Sequence, residues 1–366
     1  DIPQLEEDLS YIYGLDFSSS VVYSLEERDG QTGLIVYVRD RSWASSYLQF
    51  GLSIKSDSDL GSLTNFDAAY TKHDLNSLAG EFRATAGLGS EPQLSAEIYQ
   101  PMTVNLDYFV STKIGLSSTL FPSVIDNTIE NMKLFRRKYI DLSIGKLFKQ
   151  TTELRLGYYR SNGDTRTISG TDPAYELGDF EEGYIFARLI HDSLDNLSFP
   201  NTGMFSGVTS LSSREDLGAD SDFDQLKLIL SGAGTVDRYS IFTRLMLETT
   251  IDEDAPYNAL FRRGGFLEIS GTMDRELAGQ HFGLIQAAFY RRLGDITFLP
   301  IYSGFSIEGG NAWNSYDDIS SDTTKVGGSI FIGADTFFGP IYFAFGATDQ
   351  GDKALYFNLG QTFLEP

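Results

Sequence analysis

The sequence predicts an all-β protein: a sixteen-stranded antiparallel transmembrane β-barrel over residues 42–366, with a short α+β segment before it at residues 1–41. Three observations carry that expectation. From Trp43 onward apolar residues recur with period two and never return to the 3.6-residue period of a helix. The alternating segments number sixteen, an even count that lets a meander close on itself and leave no unpaired edge. Ionisable residues (Asp67, Glu81, Arg83, Glu97, Lys113, Arg155, Arg244) fall singly on the face opposite the apolar one, where a dry core would penalise them and a hydrated lumen would not.

Composition bounds the function. The chain holds 28 basic and 51 acidic residues, and a net charge of −23 repels a phosphate backbone, so nucleic acid is excluded as a partner. There is no cysteine, which rules out disulfides, thiolate metal sites and a cysteine nucleophile and suits an oxidising envelope compartment. Mean hydropathy is −0.17, and no apolar run reaches the ~18 residues of a membrane helix; barrels escape that test because alternate residues face the lumen. The 27 Phe and 20 Tyr would furnish the aromatic girdles of a barrel at both membrane interfaces. Asp1 starts in an acidic, helix-like stretch without a signal peptide, and is expected to be an interior point of a longer precursor.

In chain order, Leu5, Leu9, Ile12 and Tyr13 share one helical face and Gly14 is a helix stop. Two strands follow, Ser20–Glu27 and Gly33–Arg39, joined through Asp29-Gly30, a strong hairpin signal. A helix and one hairpin are too small to bury a core unaided. The barrel strands are expected at 46–55, 65–73, 80–89, 93–101, 108–121, 132–148, 152–161, 183–191, 203–213, 223–233, 239–249, 281–293, 301–310, 325–336, 340–348 and 354–363. The long connections, at 214–224, 251–258 and 316–325, are acidic and polar. Asp216, Asp220, Asp222 and Asp224 lack the glycine and terminal glutamate of a calcium loop and read as a solvated loop.

Five stretches carry more than pattern. His191–Gly203, HDSLDNLSFPNTG, is a turn in which Asp192 and Asp195 cap amides, Phe199 and Pro200 follow, and Gly203 frees the backbone before the next strand. Phe261–Gln280, FRRGGFLEISGTMDRELAGQ, lies in the longest interval between strands. Ser306–Trp313, SIEGGNAW, places an acid, Glu308, before Gly-Asn-x-Trp. Thr336–Tyr342, TFFGPIY, sets Pro340 at a strand start, where a missing amide is tolerated. In the closing strand Ala354–Phe363, Leu355, Phe357, Leu359 and Phe363 share the apolar face, opposite Tyr356, Asn358, Gly360 and Thr362.

Taken together, these motifs resemble the outer-membrane surface-antigen superfamily, whose barrels follow periplasmic POTRA domains. The order of helix, glycine and two strands in residues 1–41 resembles the C-terminal half of a POTRA domain. Phe357, Leu359 and Phe363 resemble the C-terminal sorting signal of outer-membrane barrels, and the Asp192–Gly203 motif would be a periplasmic turn. The resemblance implies that a loop at about 251–280 folds into the lumen. Its tip, Ile269-Ser270-Gly271-Thr272-Met273, would face the barrel-wall acid Glu308. Family members carry an arginine and an aromatic residue at this tip, and here Ser270 and Thr272 replace them. Arg262 or Arg263 is a substitute for the lost arginine.

FRRGGFLEISGTMDREL followed by HFGLIQAAFYRRLG looks most like the barrels attached to patatin-like phospholipases, the type Vd autotransporters. That implies anchoring and translocation of an N-terminally fused passenger, with outer-membrane lipid and the outer-membrane assembly machinery as partners and pairing of two barrels as a further one. No cofactor or metal is implied. The closest approach to a Gly-x-Ser-x-Gly elbow is Gly304–Glu308, which fails at the fifth position, so no catalytic residue is expected in this chain. His73, His191 and His281 are too scattered for a metal site. Alternatives are a separate two-partner secretion or assembly barrel, a passive porin, and a soluble β-sandwich.

Overall fold

The computed structural model describes residues 18–28, 31–40, 46–58, 61–125, 128–149, 151–170, 178–296, 299–336 and 339–360. The helix expected before Gly14, the Asp29-Gly30 turn, Phe337, Phe338 and the terminal Phe363 lie outside the described residues.

An antiparallel hairpin, β1 (Ser18–Arg28) and β2 (Gln31–Asp40), forms a two-stranded sheet of its own. The barrel begins with β3 (Ser46–Asp57), β4 (Gly61–Lys72), β5 (Glu81–Gly89), β6 (Gln93–Pro101), β7 (Tyr108–Ile125), β8 (Thr128–Phe148) and β9 (Thr152–Gly170). It continues through β10 (Asp179–Asp192), β11 (Gly203–Ser213), β12 (Phe223–Val236) and β13 (Tyr239–Ile251). After a short inner pair, β14 (Phe261–Arg263) and β15 (Leu277–Gly279), come β16 (His281–Ile296), β17 (Leu299–Trp313), β18 (Lys325–Thr336), β19 (Gly339–Thr348) and β20 (Lys353–Leu359). Sixteen of these strands close into one antiparallel barrel, as the sequence predicts.

The wall is apolar outside and polar inside. Phe66 is 49% exposed while the next residue, Asp67, is 2% exposed, and Leu88 reaches 70%. A water-soluble sandwich would hide those side chains; an exterior belt of Leu, Ile and Phe is stable only against lipid. The inner charges that the sequence shows singly are set side by side by register: Arg83 opposes Glu97, Glu97 opposes Lys113, and Lys113 opposes Asp141. The result is a ladder of alternating sign across β5–β8, in which opposite charges face one another from strand to strand.

Strands β7, β8 and β9 run to 18, 21 and 19 residues, well beyond the ~9–11 that cross a bilayer. The sequence predicts shorter ones because the apolar alternation stops where these strands rise out of the lipid belt, as in Thr165-Arg166-Thr167. Closure is made by β20 against β3. Among the described residues that register includes Tyr356↔Asp57, Phe357↔Ser56, Asn358↔Lys55 and Leu359↔Ile54. Gly360 ends the closing strand at φ +114°, where a Cβ would lie 1.7 Å from the Leu52 carbonyl oxygen. Only glycine fits there.

Candidate functional site

The bore of this barrel is filled from both ends. From one end comes the β13–β16 connection, residues 252–280, whose stem is the β14–β15 pair: Phe261 opposes Gly279 and Arg263 opposes Leu277. Gln280 fastens the base, its side chain accepting from the Ala255 amide (3.1 Å) and donating to the Ala255 carbonyl (2.9 Å). Past Gly264 and Gly265, at φ +129° and +94°, the chain reaches a tip that is wholly enclosed: Ile269, Ser270 and Thr272 are 0% exposed. Ile269 is held at φ +84°, a strained conformation for a β-branched residue that persists only where surrounding contacts fix it.

Those contacts converge on Glu308 of β17. One carboxylate oxygen accepts from the Ile269 amide (3.1 Å) and the Ser270 amide; the other accepts from the Ser270 hydroxyl (3.0 Å) and the Ser306 hydroxyl (2.5 Å). Four donors saturate a carboxylate, and Glu308 is 1% exposed. Ser270 and Glu308, which the resemblance sets opposite each other as loop tip and wall, are in contact here through a backbone cradle and a hydroxyl, with no guanidinium. Neither Arg262 nor Arg263 stands in for the tip arginine. Arg263 forms a bidentate pair with Glu248 (2.6 and 3.0 Å), and Arg262 lies over the Tyr257 and Phe121 rings at 4.3 and 4.7 Å.

The remaining fastening could not be read from motifs. Tyr356 of the closing strand accepts from the Gly271 amide (2.8 Å) and donates to the Thr272 carbonyl (2.6 Å). Thr272 turns its own hydroxyl inward, donating to the Ile269 carbonyl (2.8 Å) and accepting from the Gly265 amide (3.0 Å). Arg275 crosses to Glu91 and donates to the Leu120 carbonyl (2.9 Å), while Lys325 joins Asp352 (3.0 Å) and Glu276 (3.5 Å). Glycines let the tip approach the wall. A Cβ at Gly346 would lie 2.7 Å from the Gly271 nitrogen and 2.8 Å from the Ser270 Cβ, and one at Gly327 would lie 2.8 Å from the Ser270 oxygen. Gly346→Leu is therefore expected to expel the tip while leaving the wall intact, read as new protease cleavage within residues 264–275 of an otherwise resistant barrel. Absence of new cleavage would show that the tip tolerates the intrusion.

The second plug is the Asp192–Gly203 turn, at the end of the barrel where β3 begins. Asp192 accepts from the Leu194 amide (3.0 Å), and Asp195 accepts from the Asn201 and Thr202 amides (2.8 and 2.9 Å). Phe199 is 2% exposed and stacks on Tyr302 at 4.1 Å. Tyr290 donates to the Pro200 carbonyl and Tyr342 to the Ser198 carbonyl. Gly203 has φ +101°, and a Cβ there would sit 2.0 Å from the Ser193 oxygen. What reads in sequence as a plain turn is thus a folded stopper.

Desolvation works against the Asp195 charge, but the Thr202 and Asn201 amides outweigh it and hold the carboxyl below the usual range. A depressed folded pKa contributes stability above the unfolded value of ~4, lost as pH falls through the folded one. The stability difference between wild type and Asp195→Asn, measured by urea unfolding in detergent, is expected to shrink on going from pH 6 to pH 3. A constant difference would remove Asp195's charge from the account.

Phe357 and Leu359 lie in β20 and pair with Ser56 and Ile54 at the closing joint. Ser306, the nearest approach to a nucleophile, donates to Glu308 and shares a hydrogen bond with Ser329 (2.6 Å). The acidic loop residues are engaged locally: Asp224 pairs with Arg214 (2.9 Å), and Asp222 accepts from the Glu215 amide (2.7 Å).

The fold and its filled bore define a class: closed sixteen-stranded barrels with a long loop docked in the lumen. No protein-family model matches the chain, and neither does any curated protein. Among solved structures, BamA from Haemophilus ducreyi lacking POTRA domains 1–3 matches with a TM-score of 0.74 at 13% identity, over 98% of this chain and 78% of that one. CdiB from Escherichia coli matches at 0.67 and 12% identity, over 98% and 70%. CdiB from Acinetobacter baumannii matches at 0.64 and 12% identity, over 95% and 66%. At such identities the likeness establishes the fold.

Proposed function

We propose that this chain is an outer-membrane barrel of the protein-assembly or two-partner-secretion type, acting on an extended polypeptide and without catalytic chemistry of its own. The single observation that carries the reading is the closing joint. There the first and last barrel strands, β3 and β20, meet, and Tyr356 of β20 also holds the lumenal loop through the Gly271 amide and the Thr272 carbonyl. Parting β3 from β20 exposes two strand edges, and an extended client can pair with an edge through its main chain. The likeness in fold to BamA and CdiB supports the same class. A bore occupied by a loop and a turn speaks against passive diffusion: the plugged barrel is expected to show a small single-channel conductance, and a large, steady one would favour a porin.

The finer reading is an anchor for a fused patatin-like phospholipase passenger, with residues 1–41 as the end of a periplasmic POTRA domain. It rests on the resemblance of residues 261–294 to such barrels and on the β1–β2 hairpin. A precursor whose upstream sequence carries Gly-x-Ser-x-Gly would support it, and further POTRA repeats would favour the assembly factor.

Cross-linking tests the main reading. Ser56 and Phe357 oppose each other across the joint, and opposed strand residues lie within reach of a disulfide. In a Ser56→Cys/Phe357→Cys chain, oxidation is expected to stop assembly or export of client protein and reduction to restore it. Undiminished activity in the oxidised barrel would overturn the proposal.

A further inference from the structure

We propose that the lumen holds a binding site for a carboxylate carried on an apolar body, centred on Arg244. A cavity of about 320 Å³ lies between the two plugs, with Phe266 of the loop on one side and Phe199 of the turn on the other, walled by Phe242, Tyr290 and Tyr342. That volume suits a small ligand, and the lining is aromatic. Its hydroxyls are committed, since Tyr290 and Tyr342 donate to carbonyls of the turn. Two cations line it: Lys55 pairs with Asp274 (3.7 Å), and Arg244 remains. It packs over Phe242 at 5.3 Å and makes no ion pair among the described residues, and its buried Nε has no hydrogen-bond partner.

A second unpaired group stands beside it. Register places Arg244, Gln286 and Glu308 in one row across β13, β16 and β17 of the inner wall. Gln286 is 2% exposed, and neither its Oε1 nor its Nε2 has a partner. Glu308 cannot serve Arg244, because its oxygens are filled by the loop tip and Ser306. Glu268 is near enough for its charge to act on the guanidinium without forming an ion pair. An unpaired guanidinium and an unpaired buried amide are costly where a partner can reach them, and the planar fork of arginine matches a carboxylate. One positive charge without an ion pair at the rim of an aromatic cavity, Lys55 being paired with Asp274, selects a monoanion with an apolar body. Such a carboxylate has two sources: a fatty acid and the C-terminal residue of a polypeptide.

The test titrates the folded barrel in detergent with octanoate and N-acetylphenylalanine, each against its uncharged counterpart, octanol and N-acetylphenylalanine amide. Saturation-transfer NMR reports binding. Carboxylates are expected to bind at least about tenfold more tightly than the counterparts. Arg244→Met should abolish that preference and Arg244→Lys should restore part of it, with heat-modifiable migration showing that each variant is folded. Glu268→Gln, which removes a competing anion, should tighten carboxylate binding and gives a second reading if Arg244→Met fails to fold. Preference for octanoate alone identifies a fatty acyl ligand, and for N-acetylphenylalanine alone a chain terminus. No binding, equal binding of the uncharged compounds, or a preference that survives Arg244→Met would overturn the proposal and leave water as the partner of Arg244 and Gln286.

Discussion

Glu308→Ala is expected to release the lumenal loop from the barrel wall without unfolding the barrel. The substitution removes the acceptor for the Ile269 and Ser270 amides and for two hydroxyls. The hydroxyls can turn to other partners; Ser306 already meets Ser329 and Ser270 already accepts from the Leu267 amide. The two amides cannot, and stranding buried donors costs about 1–3 kcal/mol each, or roughly 4 kcal/mol together. That is on the order of a thousandfold in the docked-to-undocked ratio. The backbone strain at Ile269 adds to the release, since the acceptor that fixes its amide at φ +84° would be gone. Because the chain has no cysteine, Met273→Cys supplies a single reporter at a position 3% exposed. Its labelling by a water-soluble maleimide should accelerate by two to three orders of magnitude, about what that energy implies, when Glu308→Ala is added. Equal rates in the two backgrounds would mean that the loop is held elsewhere, through Arg275 or Tyr356.

Phe199→Ala should have the next largest effect, and at the other end of the bore. The ring lies between Tyr302, Tyr342 and Tyr290, with centroids at 4.1, 5.0 and 6.2 Å. Deleting a buried Phe typically costs about 3–5 kcal/mol through lost contacts and the cavity left behind. Here the loss also loosens the seat of the two tyrosine hydroxyl contacts to the turn. The variant should unfold at lower urea in lipid vesicles and pass more current in planar bilayers, whereas Phe199→Leu should recover most of the stability. An unchanged midpoint together with unchanged conductance would mean that the turn is not a stopper.

Much of the wall was legible because lipid outside and water inside impose a two-residue rhythm on every strand that crosses. Where the strands leave the lipid that constraint ends, so the upper reaches of β7–β9 carry no such rhythm. The plug was legible in part. Resemblance alone set Ser270 and Glu308 opposite each other, and the missing arginine was sought at Arg262 and Arg263, which are occupied with aromatic rings and Glu248. A carboxylate can be satisfied by amides as well as by a guanidinium, and amides belong to every residue and leave no trace in sequence. Tyr356 and Gly346 were invisible for a related reason, being ordinary inward members of alternating strands.

The sequence by itself determined the strand count, the oily exterior, the wet interior and the interval from which the loop descends, since each is a local pattern of side chains set by the surrounding solvent. Only the tertiary structure decided which inner charges became neighbours, as with Arg83, Glu97, Lys113 and Asp141, and that Arg244 has no ion pair among the described residues. Those outcomes depend on register between strands distant in the chain and on backbone groups meeting across the bore, and neither is encoded in any one segment.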